Sequence, residues 1–427
     1  MSIATFIPVG MLLITFILNM PITYGMIAAG VFYLLYTGAD IGMIVGQVMG
    51  TMYSGYVLIA IPLFIFTANV MNSGKVTDAM FSFSTALIGK KKGALAYVNI
   101  VISLIFSGMT GSALADVAGI GMMEVNAMEK DGYDKPFSCA ITAASATIGP
   151  IFPPSIPFVL YAMLSGASVG ALFLGGMVPA FLIALVLAGY VCYISKKRNY
   201  PEGQSFTIKE FLRFTFRAFP ALLTPIILLV GIYTGIMTPT EAGAVAALYA
   251  LLISIFAYRI LGFKDFLKTI RDTAISTGSV TIMASAATVF SYIVARENIP
   301  AMVSNFVIGI TDNKYVLLLF INILFLILGM FLDTPTLLYV FLPMVLPIVK
   351  ALNLDLVHFG VLISLNMVIG MCTPPFGFSL FVVSNIAKTP LSAITKEILP
   401  MSAVLIAVLL LITFVPQLVL FIPNMMA

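Results

Sequence analysis

Two carboxylates stand alone inside apolar sequence: Asp116, shortly after the glycine-rich tip SGMTGS that begins at Ser107, and Asp333, in the turn GMFLDTPT that begins at Gly329. Hydroxyls and one amide gather around the same stretches: Ser107, Thr110, Ser112, Ser145, Ser155, Thr334, Thr336, Asn366, Thr373 and Ser379. Two proline pairs, Pro153–Pro154 and Pro374–Pro375, interrupt long apolar runs close by. A proline pair removes two amide donors and clashes with the turn before it, so a helix must unwind there. The carbonyls it frees suit a cation such as Na⁺, while the amide ends of half-helices suit a carboxylate. A carboxylate in an apolar medium is costly, and its default reading is functional. The structural alternatives are that the prolines merely kink helices, that each aspartate is satisfied by amides of its own segment, and that the hydroxyls bond back to their own helices. Clustering at four interruptions favours the functional reading.

Other chemistries are poorly served. Cys139, Cys192 and Cys372 fall inside apolar segments with no CxxC spacing or histidine partner, and the single histidine is His358. Neither a transition-metal site, a disulfide nor an organic cofactor is expected. Two buried aspartates raise an intramembrane aspartyl protease, but that chemistry needs an adjoining carboxylate pair sharing a proton. Asp116 and Asp333 lie in separate segments outside a GxGD context, so no enzyme is expected. Glu241 stands three places after Thr238 with Pro239 between them, the pattern of a capping box at a helix start.

The elements that must hold these residues are membrane helices. Of 427 residues, 61% are hydrophobic and 9% charged, far less charge than a soluble domain carries. Apolar runs long enough to cross a hydrocarbon core recur throughout. Ten spans are expected, near 3–20, 22–38, 53–73, 136–165, 170–195, 218–236, 241–257, 277–295, 358–387 and 397–422. The first run lacks a basic leader and a small-residue cleavage site, and reads as a span, not a removable signal. Two further segments read as re-entrant hairpins. Their first arms, 93–106 and 315–328, reach a polar turn after about 21 Å of helix, too short to cross. Stretches 263–271 and 196–217 read as interfacial helices. A sequence pI near 8.8 does not signal nucleic-acid binding, because the basic residues are spread over the loops.

The chain also repeats itself at a constant offset, the distance from Gly149 to Gly370. At that offset IGPIFPPSIPFV from Ile148 aligns with IGMCTPPFGFSL from Ile369, Gly108 with Gly329, and Pro179 with Pro400. The fold class read from this is an all-α polytopic membrane protein of two repeats, each with a re-entrant hairpin and a broken helix. Residues 1–200 form the first repeat (hairpin 93–131, broken helix 136–165), 201–217 a basic cytoplasmic linker, and 218–427 the second (hairpin 315–350, broken helix 358–387). Five crossings per half is odd, so the repeats are inverted. With both termini periplasmic, 18 of the 21 lysines and arginines fall on cytoplasmic loops, leaving Arg296, Lys314 and Lys350 outside, as the positive-inside rule requires.

With SGMTGSALAD from Ser107, GPIFPPSI from Gly149, GIMTPTEAGA from Gly235, GMFLDTPT from Gly329 and GMCTPPFG from Gly370 in view, the whole chain resembles the large membrane subunit of tripartite ATP-independent periplasmic (TRAP) transporters, the DctM-like family. The resemblance implies an elevator-type fold of the ion transporter superfamily in a bacterial inner membrane, and sodium-driven uptake of an organic acid. Sialic acid is favoured as substrate, with C4-dicarboxylates next. It also implies a separate small membrane subunit and a periplasmic substrate-binding protein. One Na⁺ is implied among Thr110, Gly149, Pro153 and Pro154, and a second among Gly329, Asp333, Thr336, Gly370 and Thr373. Substrate contacts are implied at Ser112, Asp116, Ser155 and Asp333. The tips carry no Arg or Lys to pair a substrate carboxylate, leaving that work to half-helix amides. A sodium/organic-anion symporter that needs no binding protein shares the repeat, the broken helices and the hairpins.

The charge count makes a topological prediction. A reporter fused after Arg198 stays cytoplasmic, and one fused to the C-terminus is periplasmic. Paired alkaline phosphatase and fluorescent-protein fusions check this, and two cytoplasmic termini would overturn it.

Overall fold

The computed structural model describes residues 3–18, 20–54, 56–72, 74–302 and 313–426, and among these it is helical apart from one isolated bridge between Lys92 and Glu202. Residues 19, 55 and 73, within the expected first and third spans, lie outside the described residues. Helices α1 (Ile3–Ile17), α2 (Ile22–Thr37), α3 (Gly42–Ser54), α4 (Ala60–Met71) and α5 (Gly74–Ile88) come first. Then α6 (Ala94–Thr110) and α7 (113–130) form a hairpin, α8 (Lys135–Ser145) and α9 (Ile156–Ser165) a broken helix, and α10 (Val169–Lys197) follows. Next are α11 (Ile208–Tyr233), α12 (Pro239–Leu252) and α13 (Phe263–Arg296). A second hairpin, α14 (Lys314–Gly329) and α15 (Thr334–Ala351), precedes a second broken helix, α16 (Leu356–Met371) and α17 (Phe378–Ala387). The chain closes with α18 (Leu391–Phe414) and α19 (Gln417–Met426).

Six described helices are long and apolar enough to cross a membrane: α10, α11, α12 continued to Ala257, α13, α15 and α18. The pair α3 and α4, bent by 62°, makes a seventh if taken as one span. Of the ten expected spans, two of which read as broken helices, not every one is a single membrane-length helix. The first two expected spans are helices of 15 and 16 residues, and 136–165 and 358–387 are each two shorter pieces. Both first arms of the hairpins outrun the expected 93–106 and 315–328. Helix α6 runs 17 residues and α14 runs 16. In α6 the sequence SGMT, expected as a turn, stays helical until Gly111 takes a left-handed conformation (φ 60°) and ends it. The second arm α15, at 18 residues, is itself long enough to cross.

Further differences have local causes. The interfacial stretch 263–271 and the span 277–295 are one 34-residue helix, since nothing between them breaks a helix. The linker 201–217 turns helical at Ile208, where Thr207 and Glu210 form a capping box. The last span stops at Phe414: Pro416 removes a donor and pushes Val415 out of the helical region (ψ 76°). Helices α3, rich in glycine, and α5, amphipathic, are additions to the expected elements. The capping box at Thr238 is present as expected: Thr238 N donates to Glu241 Oε2 at 2.8 Å and Thr238 Oγ1 accepts from Glu241 N at 3.3 Å.

Packing joins the two halves. Helix α8 lies against α17 and α18, α9 against α15 and α16, and α10 against α18 and α19. The other group is α1 on α2, α4 on α12 and α13, and α5 on α11. On one face, Arg198 at the end of α10 bridges Asp134 (3.2 Å) and Glu397 of α18 (2.8 Å). Beside it the connections into α6 and out of α10 pair with each other: Gly93 N donates to Pro201 O at 2.8 Å and Gly203 N to Lys91 O at 2.9 Å.

Each hairpin turn presses on the neighbouring break. A Cβ on Gly111 would collide with Pro154 O. In the second half Gly329 and Gly370 cross, and a Cβ on Gly370 would lie 2.7 Å from the Cα of Gly329, while Gly377 N donates to Met330 O at 3.0 Å. Gly111→Ala therefore meets both a left-handed backbone, worth about 1–2 kcal/mol, and a carbonyl. The thermal midpoint in detergent should fall clearly below wild type; an unchanged midpoint would mean that turn and break are not packed as described.

Candidate functional site

The arms that carry the turns are held by buried polar bonds. Asn99 Nδ2 of α6 donates to Thr142 Oγ1 of α8 (2.7 Å), Ser145 Oγ donates to Asn99 Oδ1 (2.6 Å), and Ser103 Oγ donates to Ser145 Oγ (3.0 Å). In the second half Asn366 Nδ2 of α16 donates to the carbonyl and Oδ1 of Asn322 on α14, both at 2.9 Å, and Asn322 Nδ2 donates to Thr413 Oγ1 at 2.8 Å. Ser145 and Asn366 are equivalent by the repeat, so matched positions do the same job in each half.

The breaks are latched alike. Both proline pairs are cis. Ser155 donates its hydroxyl to Pro150 O and accepts from Phe158 N at 3.2 Å. Ser379 donates to Met371 O at 2.7 Å. Pro150 and Met371 are again repeat equivalents. Each latch satisfies a carbonyl left free by unwinding and fixes where the next half-helix begins.

Between the two turns is a cavity of about 250 Å³. Thr110, Gly111, Ser112 and the first turn of α7 line it from one side, with Pro150, Ile156 and Pro157 of the first break. Asp333, Thr334 and Pro335, with Met371 of the second break, line it from the other. Helix α4 adds Ile65, Ala68 and Asn69, and α13 adds Ser276 and Val280. Three helices thus begin at this wall: α7 at its N-cap Ser112, α9 just after Ser155, and α15 at its N-cap Asp333. Helix N-termini carry unpaired amides and partial positive charge, which makes the cavity receptive to an anion although no Lys or Arg lines it among the described residues.

Of the residues singled out in the sequence, Thr110, Ser112 and Asp333 line the cavity, and the Thr110 hydroxyl has no protein partner. Ser155, Gly149, Pro153 and Pro154 stand behind it in the first break, with Gly149 against the backbone of Ser112. Gly329 and Gly370 form the crossing on the other side. Thr373 donates its hydroxyl to Ile369 O (2.6 Å), and Thr336 approaches Met283 Sδ (3.7 Å). Asp116 is off the cavity, 4% exposed, in the first turn of α7 with one carboxylate oxygen unpartnered. Glu124, not among the expected site residues, is buried on the same helix at 3% exposure with Oε1 unpartnered. Asn69 and Ser276 are further additions. A lone asparagine in an apolar span is the available signal for the first; nothing local marks Ser276. Among the described residues no group of three or more His, Cys, Asp or Glu gathers as a metal site.

Residues 9–418 match the family model of the tripartite ATP-independent periplasmic transporter, DctM component. The chain belongs to the DctM family. It is similar to the sialic acid TRAP transporter large permease protein SiaM of Vibrio cholerae, 40% identical over 95% of each chain. It is also similar to the sialic acid TRAP transporter permease protein SiaT of Haemophilus influenzae, 37% identical over 97% of this chain and 67% of that one. A third relative, the isethionate TRAP transporter permease protein DctMQ of Oleidesulfovibrio alaskensis, is 37% identical over 95% of this chain and 64% of that one. Among solved structures, the YdaH transporter of Alcanivorax borkumensis shares the fold, with a TM-score of 0.66 at 13% identity over 88% of this chain and 87% of that one. This DctM component is a multi-pass membrane permease and not an enzyme, which removes the protease reading.

Because Asp333 borders the cavity and Asp116 does not, the two carboxylates of this permease should differ on neutralisation. Asp333→Asn should abolish solute movement while the protein keeps its size-exclusion profile, and Asp116→Asn should impair it less. Uptake into proteoliposomes holding each variant checks this; wild-type uptake by Asp333→Asn would remove that residue from the site.

Proposed function

We propose that this DctM component carries an organic acid into the cell together with Na⁺, with sialic acid ahead of C4-dicarboxylates as the substrate. The observation that carries the reading is the convergence of three helix N-termini on one cavity without a fixed cation. Such a wall suits a carboxylate flanked by hydroxyls, with Ser112 and Asp333 at hand for the hydroxyls and Asp116 and Ser155 behind them. Sialic acid is preferred because two relatives that share most of this chain, at 40% and 37% identity, are named for it.

Sodium fits the C-terminal ends of the helices that precede these N-termini. Helices α6 and α14 end at the turns and α8 and α16 at the breaks, and helix C-termini carry free carbonyls and the negative end of the dipole. One ion would sit among Thr110, Gly149, Pro153 and Pro154, and a second among Gly329, Asp333, Thr336, Gly370 and Thr373. The helices around the turns, α6–α10 and α14–α19, then move as the carrier against a frame of α1–α5 and α11–α13, in an elevator cycle. The halves 1–200 and 218–427 face opposite ways in an inner membrane with both termini periplasmic, joined by the cytoplasmic segment 201–217. The permease works with a small membrane subunit on a separate chain and a periplasmic binding protein that delivers the acid.

The test is uptake of labelled sialic acid by proteoliposomes containing the permease, a small subunit and a binding protein, with and without an inward sodium gradient. Uptake that ignores the gradient would end the sodium reading, and transport of only a different acid would end the sialic acid one. In detergent, Na⁺ should raise the thermal midpoint above that in K⁺ at equal ionic strength. Coincident midpoints would leave the ion sites without support.

A further inference from the structure

A second opening, of about 610 Å³ between the end of α4 and the start of α13, lies on the far side of Asn69 from the cavity at the turns. Asn69 lines both. Among the described residues on the two walls, no other belongs to both. From the facing helix, buried Thr273 accepts a hydrogen bond from Asn69 Nδ2 at 3.0 Å. One amide–hydroxyl pair therefore stands where the two spaces come nearest to sharing a wall.

Polar side chains border both spaces. On α13, Asp265, Lys268 and Asp272 border the outer opening and Ser276 and Val280 the inner cavity; their steps of three and four positions put them on one helix face. Across from them run Asn69, Asn72 and Lys75. The Asn72 amide is held against α7, since a Cβ on Gly119 would lie 2.6 Å from its Nδ2. The outer mouth carries two exposed acids, Asp265 and Asp272, and two exposed bases, Lys75 and Lys268. A mouth of mixed charge does not repel an ion of either sign.

We propose that Asn69 sets the rate and selectivity of release: a solute leaving the turn cavity towards Lys75 and Lys268 passes the Asn69–Thr273 pair, which must part to let it through. The amide and hydroxyl then offer a hydroxylated acid the hydrogen bonds it gives up on leaving the helix N-termini. What passes rests on the transport reading above; the pair as a barrier does not.

The experiment separates the two. A form with C192S and S276C keeps only the buried native thiols of Cys139 and Cys372 and places a reactive thiol on the inner cavity wall. It is exposed, in inside-out and right-side-out membrane vesicles, to a charged membrane-impermeant methanethiosulfonate. Labelling should proceed from the face that bears Lys75 and Lys268. N69F should slow it several-fold, and N69A and T273V should each speed it several-fold. Labelling from the opposite face, or equal rates in all residue-69 forms, would overturn the proposal. Should N69F fail to give a monodisperse protein, N69A and T273V decide alone. In proteoliposomes N69F should also lower uptake while keeping the Na⁺-dependent thermal shift. If the parent protein shows no sodium-driven uptake, the coupling reading fails while the labelling still decides the barrier.

Discussion

Backbone groups with no helical partner, set inside an apolar chain, are the constraint on which the rest of this structure depends. At each unwound stretch the peptide must find hydrogen bonds in protein or in a wet cavity, because hydrocarbon offers none. The molecule answers in two ways. Some free carbonyls are tied by a serine from the next half-helix, as Pro150 is by Ser155 and Met371 by Ser379. The starts of three helices stand at a shared space. Glycines make this possible by letting a turn and a break touch backbone to backbone, at Gly111 against Pro154 and at Gly329 against Gly370.

Much of this frame is legible in the sequence because it is written in residues with strong local consequences. Tandem prolines unwind helices wherever they fall, and the register they share with glycines in both halves marks both breaks and both turns. The capping box at Thr238 is equally local. What escapes is set by neighbours distant in sequence. Whether SGMT coils on as helix depends on what surrounds it, and α13 runs unbroken through a change from polar to apolar composition that reads as a boundary. Asn69 and Ser276 acquire their place only because α4 and α13 flank the turns. Asp116 is recognisable as a buried carboxylate, yet it does not line the cavity that nearby Ser112 lines.

The same polar residues that look costly in a membrane also give the arms their register. Asn99 with Ser145, and Asn322 with Asn366, are buried amide and hydroxyl pairs whose loss would strand donors in an apolar interior. Apolar helices in lipid gain little from burying more apolar surface, so directional bonds of this kind are what distinguish one sliding position from another. Arg198 does related work at the surface by joining the loop before α8 to α18, across the boundary between the halves.

Ser112 and Asp333 are repeat equivalents and occupy the same station, the N-cap of the second arm of a hairpin, facing one cavity from two sides. A duplicated frame alone would treat those sides as equals. Here one holds a neutral hydroxyl and the other an acid, so the two facing walls differ in charge where the repeat would make them alike. A solute held between those walls meets an acid on one side and a hydroxyl on the other, and so is bound in one orientation and not its mirror image.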